Sequence, residues 1–285
     1  MSDRALTIGE VLTRSTDHLA GKGAERARLD AERLLAHALG LERIDLYMHL
    51  DRQLSPAELD AARDLVARRA QGEPLQYVLG EWGFRRLSLA VDGRALIPRP
   101  ETEIVVERCL ALLEGLDSPR VLDVGTGSGA IALAIADEHP GARVTGVDVS
   151  DEALSLARQN AERTGIAVEL HRHDLFAGLP GEDWDLIVSN PPYVPADELD
   201  TLPADVVEWE PEIALVGDGQ TDALVQDALT SLRAGGALVL EVNESAAPEV
   251  AALLAGHGYA AVAVTRDLAG AERVVEGRTP AEPAS

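Results

Sequence analysis

The chain has 285 residues, room for about two domains of ordinary size. It is 46% hydrophobic but only 3% aromatic, so its core has to be built mostly from Ala, Leu and Val. With 25 basic and 49 acidic residues the formal charge is -24, which argues against a polyphosphate partner, because nucleic-acid affinity comes from neutralising phosphates.

The first elements are helical. From Thr7 to Gly72 apolar residues recur at helical spacing, as in Ile8, Val11, Leu12 and then Leu34, Leu35, Ala38, Leu39. Ser55-Pro56-Ala57-Glu58 has the spacing of a capping box with Pro at the first helical position. Residues 1–72 therefore read as a small helical bundle. This stretch is also nearly neutral: residues 1–75 hold 11 basic and 13 acidic side chains, so the acidity belongs to residues 76–285. Residues 73–98, punctuated by Pro74, Gly80, Gly83 and Gly93, read as a β-hairpin connector.

From Arg120 short apolar runs alternate with helical patterns. Strands are expected at 121–124, 143–147, 168–171, 186–188, 237–241, 260–264 and 273–276, with helices near 130–138, 151–164, 221–233 and 246–256. Such alternation predicts an α/β, Rossmann-like doubly wound sheet with its ligand beyond the carboxyl ends of the strands. Only about eight residues join the last two strands, too few for a parallel crossover, so an antiparallel edge strand is expected. The Pro/Ala-rich tail 279–285 is expected to be disordered. No apolar run approaches the roughly 20 residues that span a bilayer, and the N-terminus has neither signal-peptide nor transit composition. A cytoplasmic protein without membrane contact is the resulting expectation. Cys109, the single cysteine, lies in an apolar helical stretch and reads as a buried structural thiol.

Two motifs carry chemistry. Asp123-Val124-Gly125-Thr126-Gly127-Ser128-Gly129 stands between a strand and a helix, where glycines permit a tight turn and close backbone approach to a ligand. Gly125, Gly127 and Ala130 also satisfy the dinucleotide fingerprint, with Asp148 where a ribose-binding acid belongs. This loop implies an adenosine-containing cofactor without separating a nicotinamide dinucleotide from S-adenosylmethionine. The second motif, Asn190-Pro191-Pro192-Tyr193, follows the strand at 184–188 and so stands over the same cleft. Its prolines fix φ and remove two donors, which frees carbonyls to point at a ligand. The Asn190 side-chain oxygen and the Pro191 carbonyl can then accept from one planar NH2 group, with the Tyr193 ring over its face.

With these residues the sequence resembles the N-(D/N)-P-P-(Y/F/W) methyltransferases, and more closely the HemK/PrmC family, the protein-(glutamine-N5) methyltransferases of class-1 peptide chain release factors. The resemblance runs over about residues 5–278. It is carried by Glu73-Pro74-Leu75-Gln76-Tyr77-Val78-Leu79-Gly80, Leu96-Ile97-Pro98-Arg99-Pro100-Glu101-Thr102-Glu103, the glycine loop, the tetrapeptide, Glu210-Pro211, Leu240-Glu241 and the closing 266–278, and among these the segment Ile97 to Glu103 narrows the match. It implies a class I methyltransferase domain over 99–278, with a mostly parallel seven-stranded sheet and an antiparallel edge strand. It further implies S-adenosylmethionine as cofactor, with Gly125, Thr126, Gly127, Ser128 and Gly129 near its methionine part, Asp148 on the ribose, and Asp174 and Leu175 at the adenine. Some members have an aromatic residue where this chain has Leu175. Asn190 would lie beside the methyl donor, and Asn190, Pro191, Pro192 and Tyr193 would hold the glutamine as both catalytic and substrate-binding residues.

No residue in that set is a strong base, so the expected chemistry works by positioning. His171 and His173 lack a third ligand at metal-binding spacing, and no metal is expected. The acid-rich run Asp197 to Glu212 does not have the order of a calcium loop and reads as a solvated lid. Arg99 either shapes the entrance or pins Glu101 and Glu103. The competing functions are DNA adenine-N6 methylation, disfavoured by charge; N5-methylation of another protein's glutamine; nicotinamide-dependent oxidoreduction, which gives no reason for the tetrapeptide; and a non-catalytic adaptor, against which the retention of every motif element argues. The near-neutral helical part is expected to make the contacts that recognise the release factor.

Overall fold

Capping boxes set the first helices. Thr7 and Glu10, and later Ser55 and Glu58, exchange side-chain and backbone hydrogen bonds, so that orphan N–H groups at each start are satisfied. The computed structural model describes residues 5–281. Its first compact unit runs to Glu81 and includes Pro203–Trp209. It contains α1 (Ile8–Gly21), α2 (Ala27–Leu39), α3 (Arg43–Met48), α4 (Pro56–Ala70) and α5 (Leu75–Leu79). Ile8, Leu12, Leu34, Leu35 and Leu46 are almost wholly buried among them. Leu75 and Val78 join the same cluster. The helical unit therefore continues past Gly72, and the stretch assigned by sequence to a hairpin connector begins with a helix. The pattern was ambiguous because five residues between Pro74 and Gly80 are too few to display a period.

The second unit comprises Trp82–Leu202 and the chain from Glu210 onward. The hairpin strands β1 (Glu81–Phe84) and β2 (Leu87–Ala90) lead to α6 (Thr102–Leu113), which buries Cys109. Then come β3 (Arg120–Val124), α7 (Ala130–Glu138), β4 (Arg143–Asp148), α8 (Asp151–Thr164), β5 (Glu169–Arg172) and β6 (Trp184–Ser189). Helix α9 (Ala204–Trp209) belongs to the first unit. The chain then closes with α10 (Gln220–Ser231), β7 (Leu232–Glu241), α11 (Ala247–Gly256), β8 (Ala260–Arg266) and β9 (Glu272–Arg278).

The seven strands are ordered β5-β4-β3-β6-β7-β9-β8, all parallel except β9, which pairs antiparallel with both β7 and β8. This is the expected class I sheet with its antiparallel strand near the edge. Val121, Leu186, Val188 and Val239 face one apolar layer against α6 and α7, while Leu122, Ile187, Leu238 and Leu240 face the other against α10 and α11. Strand β7 starts earlier than its apolar run: α10 ends at Ser231, and Leu232 already pairs with Trp184, but the register with β6 shifts before Ala237, across Gly235, whose φ of 74° needs a glycine. The expected disordered tail is not free at its start. Thr279 is buried, its N–H donating to the Gly236 carbonyl at 2.9 Å and its hydroxyl to that of Arg233 at 2.6 Å. Residues 282–285 of that tail lie outside the described residues. Among the described residues no helix is long and apolar enough to cross a membrane.

Strand order reverses at β3: the chain winds outward through β4 and β5, then returns to place β6 on the other side of β3. Loops leaving the carboxyl ends of β3 and β6 therefore splay apart and leave a crevice.

Candidate active site

A cavity of about 350 Å³ occupies that crevice. Its floor is the glycine loop. Gly125 and Thr126 donate N–H to the Val147 carbonyl at 2.8 and 3.0 Å, which ties the loop to the end of β4. Gly125, Gly127 and Gly129 have φ of 71°, 55° and 82°, a run of left-handed positions that L side chains rarely adopt. Gly129 is also short of space: a Cβ there would lie 3.2 Å from Leu133 and 3.3 Å from Ala157. It caps α7 and is absent from the cavity wall, whereas Gly125, Thr126, Gly127 and Ser128 line it.

Two carboxylates frame the loop. Asp148 at the end of β4 accepts from Gly127 N and Ser150 N, each at 2.9 Å and on a different oxygen, which fixes the carboxylate while leaving both oxygens with acceptor capacity toward the cavity. Asp123 on β3 is fully buried. One of its oxygens accepts from Thr126 Oγ1 (2.7 Å) and Ala132 N (3.2 Å), and the other has no partner. Burial, with a smaller contribution from Asp148, pushes its carboxyl up to about 7 against the pull of those two donors. Asn160, also fully buried on α8, completes the frame: its side chain accepts from Ala90 N and donates to the carbonyls of Ala90 and Ser128.

Asn190, Pro191 and Pro192 line the cavity directly after β6, whose last residue, Ser189, donates to the Val124 carbonyl at 2.7 Å. Tyr193 stands outside the wall with 40% of its surface exposed, so in this structure its ring does not cover the cleft. Asp174 and Leu175 line the far end, where Asp174 holds a tight turn by accepting from Phe176 N at 3.0 Å. Of the two histidines, only His173 reaches the cavity; the exposed His171 lies 3.8 Å from Glu169.

Arg99 lines the cavity, in keeping with the first of the two expectations, and does not pin Glu101 or Glu103. It pairs with Glu210, whose other oxygen accepts from Ile97 N at 3.0 Å. The Glu210 side chain is only 1% exposed. This pair fastens Ile97–Arg99 to the start of the Pro211–Ala214 wall. The acid-rich run therefore contains a buried anchor close to its end, Glu210, and is not solvated throughout.

Sequence reasoning also missed Phe176, and took Glu241 only as a mark of the resemblance without placing it at the site. Phe176 is 62% exposed at the cavity rim, one position beyond the site where an aromatic was noted as missing. Its adjacency to Asp174-Leu175 was the available signal. Glu241 ends β7 beside Asn190, since Ser189 of β6 pairs with Leu240. Burial raises its carboxyl to about 7, countered by the Thr102 hydroxyl and Arg273, and one oxygen has no partner. That charge adds to the effect of burial in raising the Tyr193 phenol.

The family model for the PrmC N-terminal domain matches residues 10–80, and the one for the methyltransferase small domain matches 105–208. A release factor glutamine methyltransferase of Geobacter sulfurreducens is 45% identical over 278 residues, covering 95% of this chain and 96% of its own length. The chain belongs to the release factor glutamine methyltransferase family. A member from Chlorobaculum tepidum is 41% identical over 279 residues, covering 93% of this chain and 95% of its own. Among solved structures, a T. thermophilus 16S rRNA methyltransferase in complex with AdoMet and guanosine superposes with a TM-score of 0.52. It covers 70% of this chain and 49% of its own at 22% identity, a likeness of fold. Membership in the family accounts for the two motifs meeting in one cavity on a helical-plus-sheet chain.

Proposed function

We propose that the protein transfers a methyl group from S-adenosylmethionine to the side-chain amide nitrogen of the glutamine in the Gly-Gly-Gln motif of class-1 peptide chain release factors, in the cytoplasm. The observation that carries this reading is that the glycine loop and Asn190-Pro191-Pro192 face one another across a single cavity in a chain closely similar to curated release factor glutamine methyltransferases.

The residues present suit the cofactor. Asp148 offers acceptor capacity to ribose hydroxyls, Leu175 and Phe176 offer apolar surface to adenine, and Gly125 and Gly127 offer bare backbone to the methionine part, with Thr126 and Ser128 beside them in the wall. When bound, S-adenosylmethionine supplies an electrophilic methyl group. The other requirement falls on the chain's own groups, because an amide nitrogen is a weak nucleophile whose lone pair is conjugated with its carbonyl. The Asn190 side-chain oxygen and the Pro191 carbonyl, accepting from the two N–H bonds, hold the amide in one orientation and favour localisation of that lone pair. Orientation of this kind gains about 7 to 11 kcal/mol in model reactions, so the site needs no strong base. The nitrogen gains the methyl carbon as that carbon's bond to the sulfonium sulfur breaks, the electron pair staying on sulfur as a neutral thioether. The nitrogen then releases one proton to water, so that the product amide is again neutral.

Incubation with methyl-labelled S-adenosylmethionine and a purified release factor tests the reading. Label is expected in the Gly-Gly-Gln peptide and nowhere once that glutamine is replaced; equal labelling of both would defeat it. Asn190→Ala is expected to bind S-adenosylmethionine yet hardly methylate, and near-normal turnover would remove Asn190 from the mechanism.

A further inference from the structure

The tetrapeptide turn lacks donors at its centre, because Pro191 and Pro192 have no N–H. It is held by a second segment. Val194 N donates to the Leu215 carbonyl at 3.1 Å and Gly217 N donates to the Val194 carbonyl at 3.0 Å, forming a parallel bridge between Val194 and Val216. Gly217 approaches so closely that a Cβ there would lie 2.0 Å from the Pro192 oxygen, 2.6 Å from its carbonyl carbon and 3.1 Å from Tyr193 N. All three are backbone atoms, so no rotamer change relieves the overlap. Gly217 is not among the left-handed glycines, and it is space, not torsion, that requires a glycine here. The same stretch also supplies Ile213, Ala214 and Gln220 to the cavity wall.

We propose that Gly217 is a positioning residue for methyl transfer: its bare backbone lets the 215–217 segment lie against the Pro192 carbonyl and so sets the direction of the Asn190 and Pro191 acceptors. The inference rests on the reading of those acceptors as the substrate-amide site. A side chain at 217 would force the turn to move by at least about 1 Å, since contacts under 3.0 Å are essentially never seen. A misplacement of that size can lower a rate about 100-fold.

Gly141 supplies a matched control. A Cβ there would lie 2.1 Å from the Asp117 oxygen, also backbone, but ahead of β4, whose opposite end carries the cavity. Wild type, Gly217→Ala and Gly141→Ala, each as the full chain, are compared for kcat and KM with a release factor, affinity for S-adenosylmethionine, and thermal midpoint. The expected result is a kcat about 100-fold lower in Gly217→Ala with cofactor affinity retained, and a Gly141→Ala protein that loses midpoint but not kcat. Wild-type kcat in Gly217→Ala, or loss of kcat in both variants in step with their midpoints, overturns the proposal. Should Gly217→Ala not fold, Val216→Gly loosens the same clamp without overlap and must lower kcat; normal turnover there also overturns it. A wild-type enzyme that leaves the release factor unmethylated would instead defeat the underlying functional reading.

Discussion

Removing one partner at a time from the Arg99–Glu210 pair should give unequal losses, and the exposure of each side chain says which is larger. In Glu210→Ala, the Ile97 N–H loses its acceptor, a loss of about 1–3 kcal/mol for a buried group. Arg99, at 32% exposure, can turn its guanidinium to water, so its loss of a partner adds little. In Arg99→Met the stranded group is Glu210, at 1% exposure and left with a single N–H donor. An uncompensated buried charge costs about 3–5 kcal/mol. Arg99→Met should therefore be the more damaging change, although the arginine is the more exposed partner. Combining Glu210→Ala with Arg99→Met removes the charge problem and should cost less than the sum, with a coupling of about 2 kcal/mol, within the range for contacting pairs. Urea unfolding of the four proteins at neutral pH, extrapolated linearly to water, measures each quantity. A Glu210→Ala loss exceeding that of Arg99→Met, or a coupling near zero, would refute the reasoning.

The buried Asp123 carboxyl makes stability depend on pH. Its folded value of about 7 lies above the ordinary 3.8, so between those values the folded state keeps a proton that the unfolded state has lost. Stability contributed by this group therefore falls as pH rises through that window. At about 1.4 kcal/mol per unit the difference approaches 4 kcal/mol as an upper bound. Asp123→Asn should flatten the urea-midpoint profile over that range, and a profile unchanged by the substitution refutes the assignment. Phe176→Ala should weaken S-adenosylmethionine binding by roughly tenfold, the low end for base–aromatic stacking; calorimetry showing unchanged affinity would take the ring out of the cofactor site.

Local chemistry was legible in the sequence and long-range pairing was not. The glycine loop and the tetrapeptide were readable because each directs its own backbone: glycines open the left-handed region and prolines remove donors within a few residues. The antiparallel strand was legible from a count of linking residues. By contrast, Glu210 finds Arg99 across 111 positions, and although Glu210-Pro211 is a mark of the resemblance, nothing in the acid-rich run says that this glutamate is buried or which arginine it meets. Helix α5 was hidden by brevity, and its membership in the helical core depends on where Leu75 and Val78 are buried. Gly217 looks like one more turn glycine until the Pro192 carbonyl is seen beside it.

Asn160 joins three parts of the chain that are far apart in sequence: the end of the hairpin at Ala90, helix α8 and the glycine loop at Ser128. No one of them can detach without leaving buried amide or carbonyl groups bare, so they open together as one cooperative block. The loop is thus shaped before any ligand arrives. Its ordering entropy is met during folding, and that part of the cost of binding is absent when the ligand arrives.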